Sequence, residues 1–284
     1  MYKIALVNPG KVDGKYITRE DKHVSSKKFP MLPYTASNLI GLIEKKIKDI
    51  DIEYFDGVID NLDNENLYKK IENFNPNIVI CIMSWISIPQ DKFLAETKYD
   101  TIGIIFQQFI PTYEAAKKYK INCKYILKNE IEGPLIDGIK ELIDNNKITN
   151  TKGFLVKKDI DNEEIDYIDT GIAQLYDAES TWAFPNFEKA KMPQYVNLLN
   201  SMPGSDMQYI LHTSKGCAFK CAFCGQANSG KKLRAQPVDL VIKQIQFLYD
   251  NYGITKFTFI DNIFSGFRNR AKDICKELIK SGRT

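Results

Sequence analysis

The sequence lacks an excess of charge of either sign. It contains 39 basic and 36 acidic residues among 284, with a net charge of +3. Proteins that hold nucleic acid through its phosphates carry a concentrated basic surface. We therefore expect no nucleic acid partner, and we interpret the lysine runs at 45–48 and 117–120 as solvated helix faces.

Long hydrophobic runs are missing as well. The longest mostly apolar stretch, residues 78–88, contains serines and is too short to span a bilayer, which takes roughly 20 apolar residues. We expect no membrane association. The N-terminus leads directly into a predicted strand, so we also expect no signal peptide and a cytoplasmic location, where thiols stay reduced.

Cysteine and histidine are scarce, with six and two residues. Half of the cysteines nevertheless lie together in a C-x3-C-x2-C motif, as Cys217, Cys221 and Cys224. Three cysteines cannot pair among themselves, which argues against disulfides. Three thiolates can instead hold three irons of a [4Fe–4S] cluster and leave the fourth iron open for a ligand.

A structural zinc site is the alternative for this motif. His212 lies five residues before Cys217 and would supply a fourth zinc ligand. Zinc knuckles usually consist of two C-x2-C-type pairs, and the sequence contains no second pair. We therefore favour the cluster, and we predict that His212 packs in or beside a strand.

The other cysteines do not form a second motif. Cys81 lies within an apolar run, and Cys275 shares an apolar helical face with Ile274, Leu278 and Ile279. Free cysteine behaves as a small hydrophobic residue in such places, so we predict that both are core residues rather than ligands. The sequence leaves Cys123 undecided.

The surroundings of the motif indicate alternating strands and helices. Residues 208–213 predict a strand before the cysteine loop, and helical spacing follows from about Pro237 to Gly253. A second strand at 256–260 ends at Asp261, and a second helix covers about 267–280. Functional loops follow the carboxyl ends of such parallel strands, which points Asp261 toward the site.

This segment resembles the start of the radical S-adenosylmethionine (SAM) superfamily barrel. The shared features are the cysteine spacing and the aromatic Phe223 just before the third cysteine. The resemblance implies a [4Fe–4S] cluster, SAM on the open iron, and reductive cleavage to a 5′-deoxyadenosyl radical. It implies Phe223, Gly225 and Asp261 near SAM, and a flavodoxin or ferredoxin as reductant, although the family's glycine-rich SAM-contacting stretch is not recognisable.

The first half of the chain predicts a doubly wound α/β domain of Rossmann or flavodoxin type. The predicted strands are 2–7, 52–55, 78–83, 101–106 and 124–127, and the predicted helices are 34–50, 64–73, 89–98 and 134–143. Open sheets of this kind bind ligands at the carboxyl ends of their strands. We therefore expect the binding edge at the loops after Asn8, Trp85 and Phe106.

A domain of this type ahead of the cysteine loop resembles the cobalamin-binding subfamily of radical SAM proteins. Pro33-Tyr34 before the first long helix and the acidic stretch 128–135 resemble the subfamily's sequence. Residues 107–111 depart from its glycine-rich pattern, and we interpret His23 as a loop histidine rather than a cobalt ligand. The resemblance implies cobalamin, and methyl transfer or rearrangement on an unknown small-molecule or peptide substrate.

The predicted division has three parts. Residues 1–145 form the cobalamin-binding-like domain, residues 146–207 an irregular connector with a hairpin at 153–168, and residues 208–284 the start of the barrel. Only residues 225–284 follow the motif, room for two βα units. We expect the chain to be a fragment of a longer protein, the alternative being a split enzyme completed by a partner chain.

Two further functions remain open at the level of sequence. A radical methylthiotransferase is one, but that family's N-terminal domain carries its own cluster cysteines, and Cys81 and Cys123 have no third partner. A non-catalytic zinc- or cluster-binding accessory module is the other. The metal content of the protein distinguishes these functions. A radical SAM enzyme or a methylthiotransferase requires iron with acid-labile sulfide, whereas a structural knuckle requires zinc.

We predict that, in the full-length protein, Cys221→Ala abolishes cleavage of SAM and lowers the iron bound per chain, because two thiolates cannot hold the cluster in place. Cleavage is measured as 5′-deoxyadenosine release after anaerobic reconstitution. Cys275→Ala is the control and should leave both iron content and cleavage unchanged. Retained cleavage in Cys221→Ala would refute the assignment.

Overall fold

The protein is described by a computed structural model. It covers residues 1–20, 23–106, 111–128, 130–158, 165–217, 219, 221–222 and 233–282, with the backbone alone for 23–26. Phe223, Cys224 and Gly225 lie outside the described residues. So do residues 107–110, where the sequence departs from the subfamily's glycine-rich pattern, and part of the connector hairpin.

A seven-stranded sheet organises the first part of the chain. Its strands are β1 (Tyr2–Asn8), β4 (Ile50–Asp56), β5 (Ile78–Ser84), β6 (Asp100–Phe106), β7 (Tyr125–Leu127), β8 (Phe154–Lys157) and β9 (Tyr167–Asp169). The strands β2 (Tyr16–Glu20) and β3 (His23–Lys27) pair separately with each other. The order is β4-β1-β5-β6-β7-β8-β9, and β4 through β7 run parallel. The strand order reverses between β1 and β5, as in flavodoxin-type sheets.

Helices cover both faces of this sheet. They are α1 (Tyr34–Lys46), α2 (Asn64–Phe74), α3 (Ile88–Asp91), α4 (Thr112–Lys118) and α5 (Glu132–Asn145), with a 3-10 turn at Lys92–Glu96. One face packs against α1 and α5, and the other against α2, the 88–96 segment and α4. The strands are buried on both sides, which explains their continuous apolar runs. The predicted doubly wound domain is confirmed.

An antiparallel hairpin, β2–β3, was not expected from the sequence. Residues 16–20 are all buried, so the strand shows no polar and apolar alternation, and two of its residues, Arg19 and Glu20, are charged. Charged residues are rarely buried without partners, and sequence spacing does not reveal those partners. His23 begins β3, so the interpretation of His23 as a loop residue is wrong for the backbone.

The connector is more regular than predicted. Its hairpin, β8–β9, extends the main sheet, because β8 pairs antiparallel with β7. Two helices follow, α6 (Ala178–Thr181) and α7 (Met192–Ser201). The buried face of α7 joins a second core around the barrel strands, so these residues form a packed layer rather than an irregular linker.

The last part of the chain contains the predicted βα units. Its elements are β10 (Gln208–Leu211), β11 (Ser214–Lys215), β12 (Arg234–Ala235), α8 (Val238–Tyr252), β13 (Lys256–Phe259) and α9 (Arg268–Lys280). Strands β10 and β13 pair in parallel, whereas the short strands β11 and β12 pair antiparallel at the two ends of the cysteine loop. The start of the predicted barrel is confirmed.

The apolar face predicted for the last helix is only partly buried. Ile274 is buried in the second core, whereas Cys275 and Ile279 are exposed. The prediction that Cys275 is a core residue is therefore wrong. Among the described residues, Ile274 is the one residue of this helix that is buried, and Leu278 packs partly against the same core. Cys81 and Cys123 are both fully buried in the first domain.

Among the described residues, no helix combines the length and the apolar character needed to cross a membrane.

Helix α1 approaches the connector closely at Gly41. A Cβ atom at this position would lie 2.2 Å from the carbonyl oxygen of Phe184 and 3.1 Å from the amide nitrogen of Asn186. Asn186 also donates its amide N–H to the carbonyl of Ser37 at 2.9 Å. Glycine at position 41 therefore allows the backbone of the connector to pack directly on the helix.

We predict that Gly41→Ala destabilises the chain by about 1–3 kcal/mol, because the added methyl group must push backbone atoms apart. This loss outweighs the gain of up to about 1 kcal/mol in helix propensity. Chemical denaturation measures the change in the free energy of unfolding. The exposed Lys45→Ala on the same helix is the control and should shift stability by less than about 0.5 kcal/mol.

Candidate cofactor site

The cysteine loop leaves and re-enters the fold through a short two-stranded ribbon. Lys215 pairs with Arg234 in this ribbon, and the amide of Gln236 donates to the carbonyl of Thr213 at 2.8 Å. Of the motif residues that the structure describes, Cys217 is half-buried, Cys221 is exposed, and both are free thiols. The ribbon therefore determines where the loop begins and ends.

Asp261 holds the first strand of the ribbon. Its carboxylate accepts hydrogen bonds from the hydroxyl of Thr213 at 2.7 Å, from the hydroxyl of Ser214 at 3.0 Å, and from the amide of Ser214. The neighbouring Asn262 donates its side-chain amide to the carbonyl of Gly216 at 3.4 Å. Asp261 thus lies at the carboxyl end of β13, as predicted, and contacts the start of the cysteine loop; its contact with SAM stays a prediction.

Arg270 closes the same region from helix α9. It donates to the carbonyls of Thr213 at 2.8 Å and Gln236 at 2.9 Å, which flank the ribbon on its two strands. Burial lowers the pKa of this guanidinium, and the charge of Asp261 opposes the shift. An arginine remains charged despite such a shift, so the contact is a permanent one.

His212 is a buried residue beside this ribbon. Its side chain is 1 % exposed, and Nε2 lies 2.9 Å from the carbonyl oxygen of Ile260. The ring also packs edge-on against Tyr34 at 6.2 Å between centroids. The histidine packs beside its strand, as predicted.

Two ion pairs connect the ribbon to the first domain. Lys215 pairs with Glu132, and Arg234 pairs with Glu130 through bonds of 2.6 and 3.1 Å. The side chains of Arg234 and Glu130 are 5 % and 18 % exposed. Both glutamates belong to the acidic stretch that follows β7. The cysteine loop therefore begins and ends beside the carboxyl edge of the seven-stranded sheet.

Among the described residues of the predicted binding edge, Trp85 is the exposed aromatic residue. Trp85 follows β5, donates its amide to the carbonyl of Phe106 at 3.1 Å, and keeps 41 % of its surface exposed. Phe106 itself is buried. Asn8 donates to Asp56 at 3.2 Å and accepts a hydrogen bond from Arg19 at 3.4 Å. The structure brings the ends of β1, β5 and β6 to one edge of the sheet. Contacts of Asn8, Trp85 and Phe106 with cobalamin stay predictions.

A buried ion pair bridges the ends of β1 and β5. The Arg19 guanidinium donates to both carboxylate oxygens of Asp91, at 2.7 and 2.8 Å, and both side chains are 1 % exposed. Arg19 also donates to the carbonyl of Pro9 at 2.9 Å, and Ser87 donates to Asp91 at 2.5 Å. Burial raises the pKa of Asp91, and Arg19 opposes that shift.

A second buried acid lies on the other side of β1. Asp56 accepts hydrogen bonds from the hydroxyl of Tyr195 at 2.7 Å and from the amide of Val58 at 2.9 Å. Burial raises the pKa of Asp56, and the bonds from Tyr195 and Tyr54 oppose the shift. Sequence spacing did not reveal these residues, because their partners come from distant parts of the chain.

The donor atoms on this edge fit the expected cofactors. Thiolates are the ligands of a [4Fe–4S] cluster, and Cys217 and Cys221 are free thiols on a loop with anchored ends. The corrin ring of cobalamin presents a broad, flat face, and Trp85 offers it exposed aromatic surface next to the end of β6. The described residues therefore suit both groups.

Comparison with known proteins gave one curated relative. The uncharacterized methyltransferase PH0819 of Pyrococcus horikoshii is 24 % identical over 249 residues, which cover 82 % of this chain and 50 % of that protein. No protein-family model matches the chain. The chain thus spans half the length of this curated relative.

Solved structures share the fold over nearly the whole chain. The radical SAM methyltransferase TsrM of Kitasatospora setae, solved with cobalamin and a [4Fe–4S] cluster, matches with a TM-score of 0.70 at 14 % identity, over 99 % of this chain and 51 % of TsrM. The cobalamin-dependent radical SAM enzyme OxsB with aqua-cobalamin matches with a TM-score of 0.69 at 16 % identity, over 99 % of this chain and 37 % of OxsB. The chain has the fold of these cobalamin-dependent radical SAM enzymes, which confirms the fold that the sequence resemblance implied.

We predict a coupling energy of about 1–3 kcal/mol between Glu130 and Arg234 in a double-mutant cycle of alanine variants, because both charged groups are largely shielded from water. The cycle measures the free energy of unfolding of the chain, the two single variants and the double variant.

The exposed pair Lys256 and Asp206, both 63 % exposed, is the control for this cycle. Its coupling should stay below about 1 kcal/mol, since exposed pairs are screened by water. Equal coupling for the two pairs would contradict a special role for Glu130 and Arg234.

Proposed function

We propose that this chain is the cofactor-binding part of a cobalamin-dependent radical SAM enzyme that transfers a methyl group. The attachment of the cysteine-loop ribbon to the carboxyl edge of the seven-stranded sheet carries this proposal. Two ion pairs, Lys215 with Glu132 and Arg234 with Glu130, form that attachment. If the cluster and cobalamin bind where the sequence predicts, these pairs would hold their two sites at adjoining surfaces.

Adjoining sites suit this chemistry because a methyl group that passes between two cofactors needs both held close in a defined orientation. When bound, the cluster and SAM supply reductive cleavage or a methyl donor, and cobalamin supplies a methyl carrier. The names of TsrM and PH0819 as methyltransferases support transfer of a methyl group. Rearrangement remains the second possibility from the sequence resemblance.

The roles of this chain's own residues follow from their contacts. Cys217, Cys221 and Cys224 would bind the cluster through their thiolates. Gly216 has a φ of 85°, a left-handed conformation that turns the chain into the loop at Cys217. Phe223 and Gly225 would lie next to SAM, as the motif resemblance implies.

The residues around the ribbon position the loop. Asp261 and Arg270 hold its first strand at Thr213 and Ser214, and Arg270 reaches the second strand at Gln236. These contacts hold the two ends of the cysteine loop before any cofactor binds. Such preorganisation lowers the entropic cost of binding.

For the substrate and the reductant we propose a chemical class rather than a particular molecule. We propose a small molecule or peptide as substrate; TsrM has been solved with tryptophan as its substrate. Electrons would come from a flavodoxin or ferredoxin, since the cluster needs a one-electron donor. We place the complete enzyme in the cytoplasm, where its thiols stay reduced.

Electron paramagnetic resonance on the anaerobically reconstituted, dithionite-reduced chain tests this function. We expect a [4Fe–4S]⁺ signal whose shape changes when SAM is added, because SAM binds the open iron. Adenosine is the matched control and should leave the spectrum unchanged, since it lacks the amino and carboxylate groups of the methionine part.

A signal that SAM does not alter would contradict the radical SAM assignment and leave a cluster-binding module. Zinc without iron would favour the structural knuckle instead. Either result would also remove the reason to place cobalamin beside the cysteine loop.

A further inference from the structure

The ends of neighbouring strands divide the carboxyl edge of the sheet into regions with different properties. The order β1, β5, β6, β7 leads from the Arg19–Asp91 pair, past Trp85, to the glutamates that bind the cysteine-loop ribbon. In a sheet of this type, the crevice where the strand order reverses is the usual place for a ligand. That crevice lies between β1 and β5.

The side chain of Arg19 occupies this crevice. Arg19 reaches across it, with bonds to the carbonyls of Pro9 and Gly10 after β1 and to Asp91 after β5. All five guanidinium N–H groups belong to a planar fork, which makes a bidentate pair with a carboxylate well defined. A buried pair of this kind is costly to break, because either charge alone would be left without compensation.

The space beside this pair is small. A cavity of about 20 Å³ lies next to Arg19, between hairpin β2–β3 and the start of α1, with Tyr16 and Thr35 among its lining residues. A cavity of this volume holds about one water molecule. This cavity therefore cannot accept a large ring without displacing the residues that line it.

Trp85 presents a different surface one strand further along. Its neighbours Ser84 and Phe106 are buried, whereas the indole remains 41 % exposed. The register places Ser84 opposite Phe106, so the indole lies at the ends of β5 and β6. An exposed indole next to buried residues offers a flat apolar contact for a flat ligand. Strand order places it between the filled crevice and the cysteine-loop ribbon.

We propose that Trp85 is the main platform for the cobalamin ring at this edge, and that the Arg19–Asp91 pair excludes the ring from the crevice between β1 and β5. This inference rests on the proposed function. It narrows the predicted binding edge from the loops after Asn8, Trp85 and Phe106 to the ends of β5 and β6.

Equilibrium binding of hydroxocobalamin tests the placement without any turnover. The chain contains two tryptophans, of which Trp182 is buried. In a Trp182→Phe background, the remaining tryptophan fluorescence comes from Trp85. Titration with hydroxocobalamin should quench this fluorescence to saturation. Equilibrium dialysis, with bound cobalamin measured by its absorbance, gives the dissociation constant of every chain, including the variants that lack Trp85.

The variants separate the two regions of the edge. We expect Trp85→Ala to weaken binding by at least about tenfold, as for an aromatic contact at the centre of an interface. Trp85→Phe keeps a flat ring and should lose less than about threefold. Asn8→Ala, at the filled crevice, should change the dissociation constant by less than about twofold, a shift of under about 0.4 kcal/mol.

Two results would overturn the placement. One is Trp85→Ala binding as tightly as the parent chain, and the other is Asn8→Ala losing as much affinity as Trp85→Ala. A parent chain that does not bind hydroxocobalamin would overturn it together with the cobalamin part of the proposed function. The spectroscopic response to SAM tests the rest of that function separately.

Discussion

The ion pairs between the cysteine-loop ribbon and the acidic stretch after β7 are the contacts on which the site depends. Lys215 and Arg234 stand opposite each other in the ribbon, and each binds a glutamate of the first domain. Because these side chains are mostly shielded from solvent, the attraction between them is weakened less by water and salt than in an exposed pair. One domain thereby determines the position of the loop on the other.

Contacts within the barrel segment add to this attachment. Asp261 and Arg270 come from the second strand and the second helix of the segment, and both bind Thr213 at the start of the ribbon. The loop ends are thus held from the first domain and from the barrel. Fixed loop ends suit the proposed cluster ligands, since a [4Fe–4S] cluster imposes its own geometry on the thiolates that bind it.

Buried charge distinguishes one half of the sheet's carboxyl edge in the first domain. The sheet has the topology that usually places a ligand between β1 and β5, yet Arg19 and Asp91 occupy that crevice. Asp56 and its tyrosine partners add a second buried polar group beside β1. Buried polar groups are stable only when they are hydrogen-bonded, and these groups are hydrogen-bonded to one another. This half of the edge is therefore filled by a buried polar network.

Sequence periodicity predicted the strands of the parallel sheet and the long helices correctly, because each buries a regular apolar pattern. It missed the hairpin β2–β3, the ribbon β11–β12 and the helices α6 and α7, and the helix predicted at 89–98 is the short α3 followed by a 3-10 turn. The hairpin is buried on both faces and carries charges, and the ribbon strands have two residues each, too short for any periodic pattern. Cys275 shows the opposite error, since an apolar helical face predicts burial only when a partner surface covers it.

The sequence by itself determined the fold class, the order of the βα units and the three cysteines of the motif, because local spacing encodes each of these. Tertiary structure decided which charges meet. Glu130 and Arg234 are separated by 104 residues, and Arg19 and Asp91 by 72. Pairing over such distances depends on how the whole chain folds back on itself, and no local pattern of residue types records it.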